Sequence, residues 1–408
     1  MQTSFDSLKR RLMRTSRSLH GDGRGWTLLV VAAGWLAILG GRYLFPAILP
    51  QIKAFFDVSN ATAGLAITVI WAGYAVMQFP AGVLVDRLGE RSLLTASLAV
   101  AAASVVVVGL APSFWLFMVG CGVFGLGTGL YGPARGTALS NTFESDGAAF
   151  GLTLAAGSVG SAAFPLAASL LVDSLGWQTT VLLLIAPFLV VAVGAWRAIP
   201  QFTLAGGPGE RYSARRLLGA LRTAVSRRAV VVASSAVTLM LFVLQGLTAF
   251  LPVYLITIKG ISQEVAAVLF ALFFISGAVS QSVAGGLADY YGDRMVLLTT
   301  AVFGVFPLLA LPFVGGLVPL GILSVLLGIR LAAAPVNNAY IVAVLPDSVQ
   351  GTAWGFLRTG YFLLGSTAST FVGILFDRGL AGEAFVALAV LTAIAAVCYA
   401  FLPARETA

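Results

Sequence analysis

Apolar stretches of about 20 residues recur along this chain from one end to the other, and no other feature constrains its fold as tightly. As a helix, each is long enough to cross roughly 30 Å of hydrocarbon. A water-soluble chain of 408 residues has no interior that could hide a sequence 59% hydrophobic and only 10% charged. Lipid is therefore the solvent. Two cysteines, Cys121 and Cys398, sit inside apolar spans and offer neither a disulfide framework nor a metal cluster. The sole histidine, His20, lies in the N-terminal tail, so no buried histidine relay is expected.

Twelve spans are expected, near 26–50, 61–81, 93–111, 115–141, 149–172, 177–198, 229–256, 262–284, 295–313, 316–345, 351–376 and 381–402. An even number puts both termini on one side. If that side is cytoplasmic, Lys53, Lys259 and Arg378 are the only external basic residues, four arginines lie within spans, and the remaining 17 of 24 Lys and Arg are inside. The expected layout is a basic cytoplasmic tail over 1–25, a first bundle over 26–198, a cytoplasmic linker over 199–228, a second bundle over 229–402 and a tail over 403–408, in the cell membrane. The basic first 25 residues lack the apolar core and cleavage site of a signal peptide, so the first span is expected to remain as an anchor.

The net charge of +8 is concentrated at Lys9, Arg10, Arg11, Arg14, Arg17 and Arg24 and around the linker, without interleaved aromatic residues. That pattern excludes a nucleic-acid surface. Around Gly206-Gly207-Pro208-Gly209 the linker breaks. Beyond it Arg215, Arg216, Leu217, Leu218, Leu221, Arg222, Val225 and Arg228 suggest a basic amphipathic helix on anionic lipid.

The chain also repeats itself. Gln78, Gly82, Asp86, Gly89 and Arg91 align with Gln281, Gly285, Asp289, Gly292 and Arg294 at a constant offset of 203 residues. A second echo pairs 146–151 with 350–355. Two six-span halves in the same orientation form a parallel repeat.

The segment Gly82-Val-Leu-Val-Asp86-Arg87-Leu-Gly89-Glu-Arg91, between spans 2 and 3, resembles the signature loop of the major facilitator superfamily. Its weaker copy from Gly285 to Arg294 falls between spans 8 and 9, where that family repeats it. The resemblance implies an all-α polytopic membrane protein, with twelve transmembrane helices in two pseudosymmetric six-helix bundles. It further implies a monomeric secondary transporter without cofactor, moving a small-molecule substrate by alternating access. The motif would form a cytoplasmic gate, its glycines letting helix ends approach and Asp86 pairing with Arg87 or Arg91 or capping a helix dipole. In the family the corresponding acid meets the start of span 11, here near Gly351 and Thr352. The sequence departs from proton-driven drug antiporters: Cys121 stands where their span 4 carries an arginine before a glycine, and Gly157, Gly160 and Pro165 match their span 5 motif poorly.

No Asp or Glu lies mid-span, which favours uniport or exchange over proton symport. The four span arginines are Arg42, Arg135, Arg330 and Arg358, and a charge held in hydrocarbon is usually functional. The run Gly41-Arg42-Tyr43-Leu44-Phe45-Pro46 is similar to span 1 of the superfamily's organic-anion and organophosphate transporters, which place an anion-binding arginine there. A guanidinium matches a carboxylate or phosphate with two parallel hydrogen bonds. Arg42 is therefore the expected main substrate contact, with Arg330 second. Gln245, aligned with Arg42 by the repeat, and Tyr43, Asn337 and Asn338 are further candidates. Arg135 and Arg358, closer to the cytoplasmic end, are expected at the inner gate beside Asp86, Glu144 or Asp347. Gln78 and Gln281 are expected to be structural.

Gly127-Thr-Gly129-Leu-Tyr-Gly132 matches a dinucleotide fingerprint only as a string, since no strand precedes it. Asn60-Ala-Thr62 is a glycosylation sequon in the first external loop. The expected substrate is a small organic or inorganic anion. Efflux of hydrophobic drug-like compounds and a non-transporting receptor or sensor are the alternatives.

Overall fold

The computed structural model describes residues 24–143, 146–200, 219, 222, 227–345 and 350–403. The expected amphipathic helix of the linker falls almost wholly outside them, as do Glu144 and Asp347. The described residues form helices and connecting turns, and eleven segments are long and apolar enough to cross a membrane. One of these, Gly147–Ala198, has 52 residues and turns at Gly176 (φ 76°, ψ 157°), so it holds two crossings. The twelve crossings are α1 (Arg24–Ala47), α2 (Asn60–Leu88), α3 (Glu90–Gly109), α4 (Phe114–Thr142), α5 (147–175) and α6 (177–198), then α7 (Arg228–Thr257), α8 (Gln263–Tyr291), α9 (Asp293–Ala310), α10 (Leu317–Val344), α11 (Ala353–Asp377) and α12 (Ala381–Ala400).

Helices are the economical answer to hydrocarbon, because each crossing satisfies its own backbone polar groups. Their packing follows the rule for lipid solvent. Large apolar side chains such as Val190, Phe306 and Ile322 face outward, more than half exposed, while small residues make the seams. Gly125 of α4 lies against the Ile70 carbonyl of α2, and a Cβ there would collide with it. Gly328 of α10 lies against the Phe273 carbonyl of α8 in the same way. Both residues of one seam are displaced by 203 from those of the other, so the repeat extends from the sequence into the packing.

The turns repeat too. Gly89 and Gly292 end α2 and α8 with φ of 77° and 85°, a region that L side chains rarely adopt. Their N–H groups donate to the Val85 and Ala288 carbonyls at 2.9 and 2.8 Å. Gly176 and Gly379, again 203 apart, take φ of 76° and 75°. The signature segment is therefore not an open loop. It remains helical through Leu88 and turns on a single glycine, because nothing before Gly89 prevents the helix from continuing.

The two bundles meet at the end bearing the α1–α2 connection, where α2 packs on α11 and α5 on α8. The Asp377 carboxylate sits on the N-terminus of α2. Its Oδ1 accepts from the Asn60 N–H at 2.7 Å and from Asn60 Nδ2 at 2.8 Å, and its Oδ2 accepts from the Ala61 N–H at 2.8 Å. Gln263, 203 residues after Asn60, starts α8 and donates to the Ala47 carbonyl at 2.7 Å and to Ser169 Oγ at 3.2 Å. Thr68 Oγ1 donates to the Ser366 carbonyl at 2.8 Å deeper in the same seam. A glycan on Asn60 Nδ2 would break the bond to Asp377. At the opposite end the bundles part. A Cβ on Gly82, Gly136, Gly285 or Gly286 would meet nothing within 4 Å, so these glycines do not hold helix ends together here.

Candidate functional site

Between the parted ends lies a cavity of about 330 Å³. Its walls come from both bundles: Gln78 and Gly82 of α2, Arg135 of α4, Phe150 of α5, and Trp354 and Arg358 of α11. Arg135 is 9% exposed, with its guanidinium carbon 4.4 Å from the centre of the Trp35 ring and 5.8 Å from that of Phe150. Its Nε and Nη1 are buried and unpartnered. Arg358 reaches across from the second bundle. Its Nη2 donates to Tyr74 Oη at 3.5 Å, while its Nε is also buried and unpartnered.

Arg42 completes the group from behind. It is 1% exposed; its Nε donates to Thr128 Oγ1 at 3.2 Å and its Nη2 to the Thr128 carbonyl at 3.1 Å. The guanidinium lies over the Tyr74 ring at 3.8 Å and 5.1 Å from the centre of the Trp71 ring. Tyr74 thus meets two of the three guanidinium groups, Arg358 at its hydroxyl and Arg42 on its ring. Among the described residues, no Asp or Glu accompanies them, since every described acid stands at a helix end or in a connection. A buried cation without a counter-charge is costly. Aromatic faces offset part of that cost, each contributing about 0.5–2 kcal/mol.

The other expected contacts are dispersed. A 3₁₀ turn, Arg330–Ala332, interrupts α10 and directs the Arg330 side chain onto Gly304. There Arg330 Nη2 donates to Thr392 Oγ1 at 3.3 Å and contacts Met240 Sδ at 3.9 Å, while Nε is unpartnered. Asn337 is tied to Tyr399, donating to its Oη at 2.8 Å and accepting from it at 3.0 Å. Asn338 is exposed and, with Arg330, Asn337 and Arg358, lines a second cavity of about 120 Å³ in the second bundle. Gln245 is 2% exposed, with its Oε1 unpartnered. Tyr43 belongs to an aromatic plug with Trp71, Phe270 and Phe274, the last only 4.5 Å away between ring centres.

In the signature segment, Asp86, Arg87, Gly285, Asp289, Gly292 and Arg294 are exposed. The side chains of Gly351 and Thr352, the expected neighbours of Asp86, lie outside the described set. Arg91 stacks on Trp196 at 4.2 Å instead. The buried acid of the motif is Glu90, whose Oε1 accepts from Asn141 Nδ2 at 2.7 Å. Gln78 is buried, donating to the Tyr74 and Gly129 carbonyls at 3.4 Å.

Sequence reasoning did not single out Tyr74, Trp71, Trp35, Thr128 or Glu90. One signal was present: arginines without mid-span acids must be neutralised by something else, and Trp71 and Tyr74 share a helix face at i, i+3.

Known proteins resemble this chain in fold or in sequence. A bacterial homologue of the human lysosomal transporter spinster, solved in an inward-facing, unoccupied conformation, superposes with a TM-score of 0.77 at 18% identity over 93% of this chain and 96% of that one. The inward-facing, occupied conformation gives 0.76. In sequence, the uncharacterized MFS-type transporter YfnC of Bacillus subtilis is 23% identical over 371 residues, 89% of each chain. The inner membrane transport protein YajR of Escherichia coli is 35% identical over 92 residues, 22% of this chain and 20% of that protein. The family model for the Major Facilitator Superfamily matches residues 30–268 and 257–408. With twelve crossings, a repeat carried into its seams and a cavity between its halves, this chain is a membrane transport protein belonging to the Major Facilitator Superfamily.

Proposed function

We propose that the protein carries a small organic or inorganic anion across the cell membrane by alternating access, as a uniporter or exchanger. The observation that carries this reading is that Arg135 and Arg358 line one cavity from opposite bundles and that, among the described residues, no carboxylate lies in its wall. Aromatic rings offset only part of the cost of holding these cations away from water and from a counter-charge. A carboxylate or phosphate between them would supply both acceptors and counter-charge. Arg42, locked onto Thr128, adds positive potential from behind rather than a free pair of donors. This moves the main contact from Arg42 to Arg135 and Arg358, which line one cavity from opposite bundles and would be drawn together when the bundles close on a ligand.

With the termini cytoplasmic, the cavity faces the cell interior and the Asp377 and Gln263 contacts seal the outside. The 18%-identical inward-facing neighbour is consistent with this orientation. Rocking the bundles would exchange the outer seal for contacts between the Gly82 and Gly285 segments. The test is counterflow in proteoliposomes preloaded with benzoate or phosphate. Exchange of labelled anion in wild type that is lost in Arg135→Gln and Arg358→Gln supports the reading. Transport confined to lipophilic cations and unaffected by either substitution contradicts it and favours efflux of hydrophobic compounds.

A further inference from the structure

Arg358 lines not one cavity but two. On one side is the charged space shared with Arg135. On the other is the smaller cavity of about 120 Å³ between α7, α10 and α11, whose walls include Val237, Met240, Leu241, Leu244, Ala334 and Phe362. The second space is mainly apolar. Its other arginine, Arg330, already commits Nη2 to Thr392 and Met240. A guanidinium at the junction of a polar and an apolar space binds the acidic end of a ligand and directs its body toward the apolar side.

From this juxtaposition we infer that the transported anion is amphipathic. Its single acidic group sits between Arg135 and Arg358, and a compact apolar body, one aromatic ring or a short branched alkyl group, enters the cavity at Leu244 and Ala334. The volume sets the size. An enclosed apolar cavity of about 150 Å³ holds a benzene molecule, so about 120 Å³ suits one partly inserted ring better than a fused pair. The inference rests on the anion reading above and adds the size and chemistry of the body. Bare inorganic anions would leave the apolar space unused and bind more weakly.

The experiment measures affinities of the purified full-length protein for acetate, benzoate and 2-naphthoate by isothermal titration. Burying a ring's worth of carbon favours benzoate over acetate by about tenfold or more, and 2-naphthoate binds more weakly than benzoate. Ala334 is exposed to the cavity, so Ala334→Phe fills the space from a position with room to accept it and collapses the benzoate-to-acetate ratio toward one. Leu244→Ala enlarges the same space and moves the preference from benzoate to 2-naphthoate. If Ala334→Phe fails to give a folded protein, the Leu244→Ala arm decides alone. Equal affinity for acetate and benzoate in wild type, or a size preference that Leu244→Ala does not move, overturns this inference and leaves the anion reading standing. Failure of all three carboxylates to bind overturns both.

Discussion

The arginine-bearing core of the first bundle and the smaller cavity of the second lie in equivalent halves of a repeat, yet their chemistry differs. On the first-bundle side Trp35, Tyr74, Arg135 and Phe150 set guanidinium groups against aromatic faces. In the second-bundle cavity Val237, Met240, Leu241 and Leu244 form an aliphatic wall opposite Arg330, Asn337 and Arg358. Position by position the contrast is sharper still: the repeat offset places Gln245 where Arg42 stands. The seams, by contrast, stayed symmetric. Gly125 on Ile70 and Gly328 on Phe273 are the same contact made twice. What moves as a rigid body has to fit in both halves, whereas what binds has only to be right once.

The largest expected effect comes from removing the charge on the polar wall. Arg135→Met or Arg358→Met each deletes charge-assisted bonds worth about 1.5–3 kcal/mol, so anion uptake at sub-saturating concentration should fall about ten- to hundredfold. Initial rates in proteoliposomes measure this; a loss below about twofold would assign both residues to packing.

Arg42→Gln separates the locked arginine from the free ones. Its bonds to Thr128 and its stack on Tyr74 predict a stability loss of about 1–3 kcal/mol, read as a lowered melting temperature without ligand, and a smaller affinity loss than at Arg135. The opposite ranking, with unchanged melting and abolished binding, would restore Arg42 as the main contact.

A smaller effect is expected at the sealed end. Asp377→Asn keeps the shape but removes the negative charge from the N-terminus of α2, an interaction worth about 0.3–1 kcal/mol at exposed sites. The two bundle arrangements should then redistribute by about two- to fivefold toward the form opened at that end. Spin-label distances between the starts of α2 and α8 would report it, and an unchanged distribution would show that α2–α11 packing alone seals this end. The smallest effect concerns protons. With described acids confined to helix ends and connections, collapsing a proton gradient should change uptake by less than about twofold, and a tenfold drop would demand a titrating group inside the spans.

The architecture was legible because hydrocarbon thickness imposes a length on every crossing and the 203-residue repeat marks its own register. The positions at Gly89 and Gly292 were legible for the same reason, although the segment before them reads as a loop and folds as helix. Which arginine faces the cavity was not legible. Each is the single mid-span arginine of a crossing without a mid-span acid to pair it, so Arg42 and Arg135 look alike in sequence. Nor does spacing disclose that Tyr74 and Trp71 on α2 cover Arg42 on α1, or that Arg358 on α11 meets Tyr74. Those pairings come from packing between distant crossings. Among the candidates, Arg330 and Asn337 share one property that sequence hides: each already has a partner, in Thr392 and Tyr399.

The most direct test of the anion site is thermal stabilisation of the purified protein by a panel of carboxylates, phosphate, neutral solutes and lipophilic cations, in wild type and in Arg135→Gln/Arg358→Gln. A ligand that binds the folded state raises its melting temperature by mass action. The expected result is a concentration-dependent rise with carboxylates or phosphate that disappears in the double variant. A rise produced only by lipophilic cations, and equal in both proteins, would contradict the anion site and leave the arginines as structural cations held by aromatic rings.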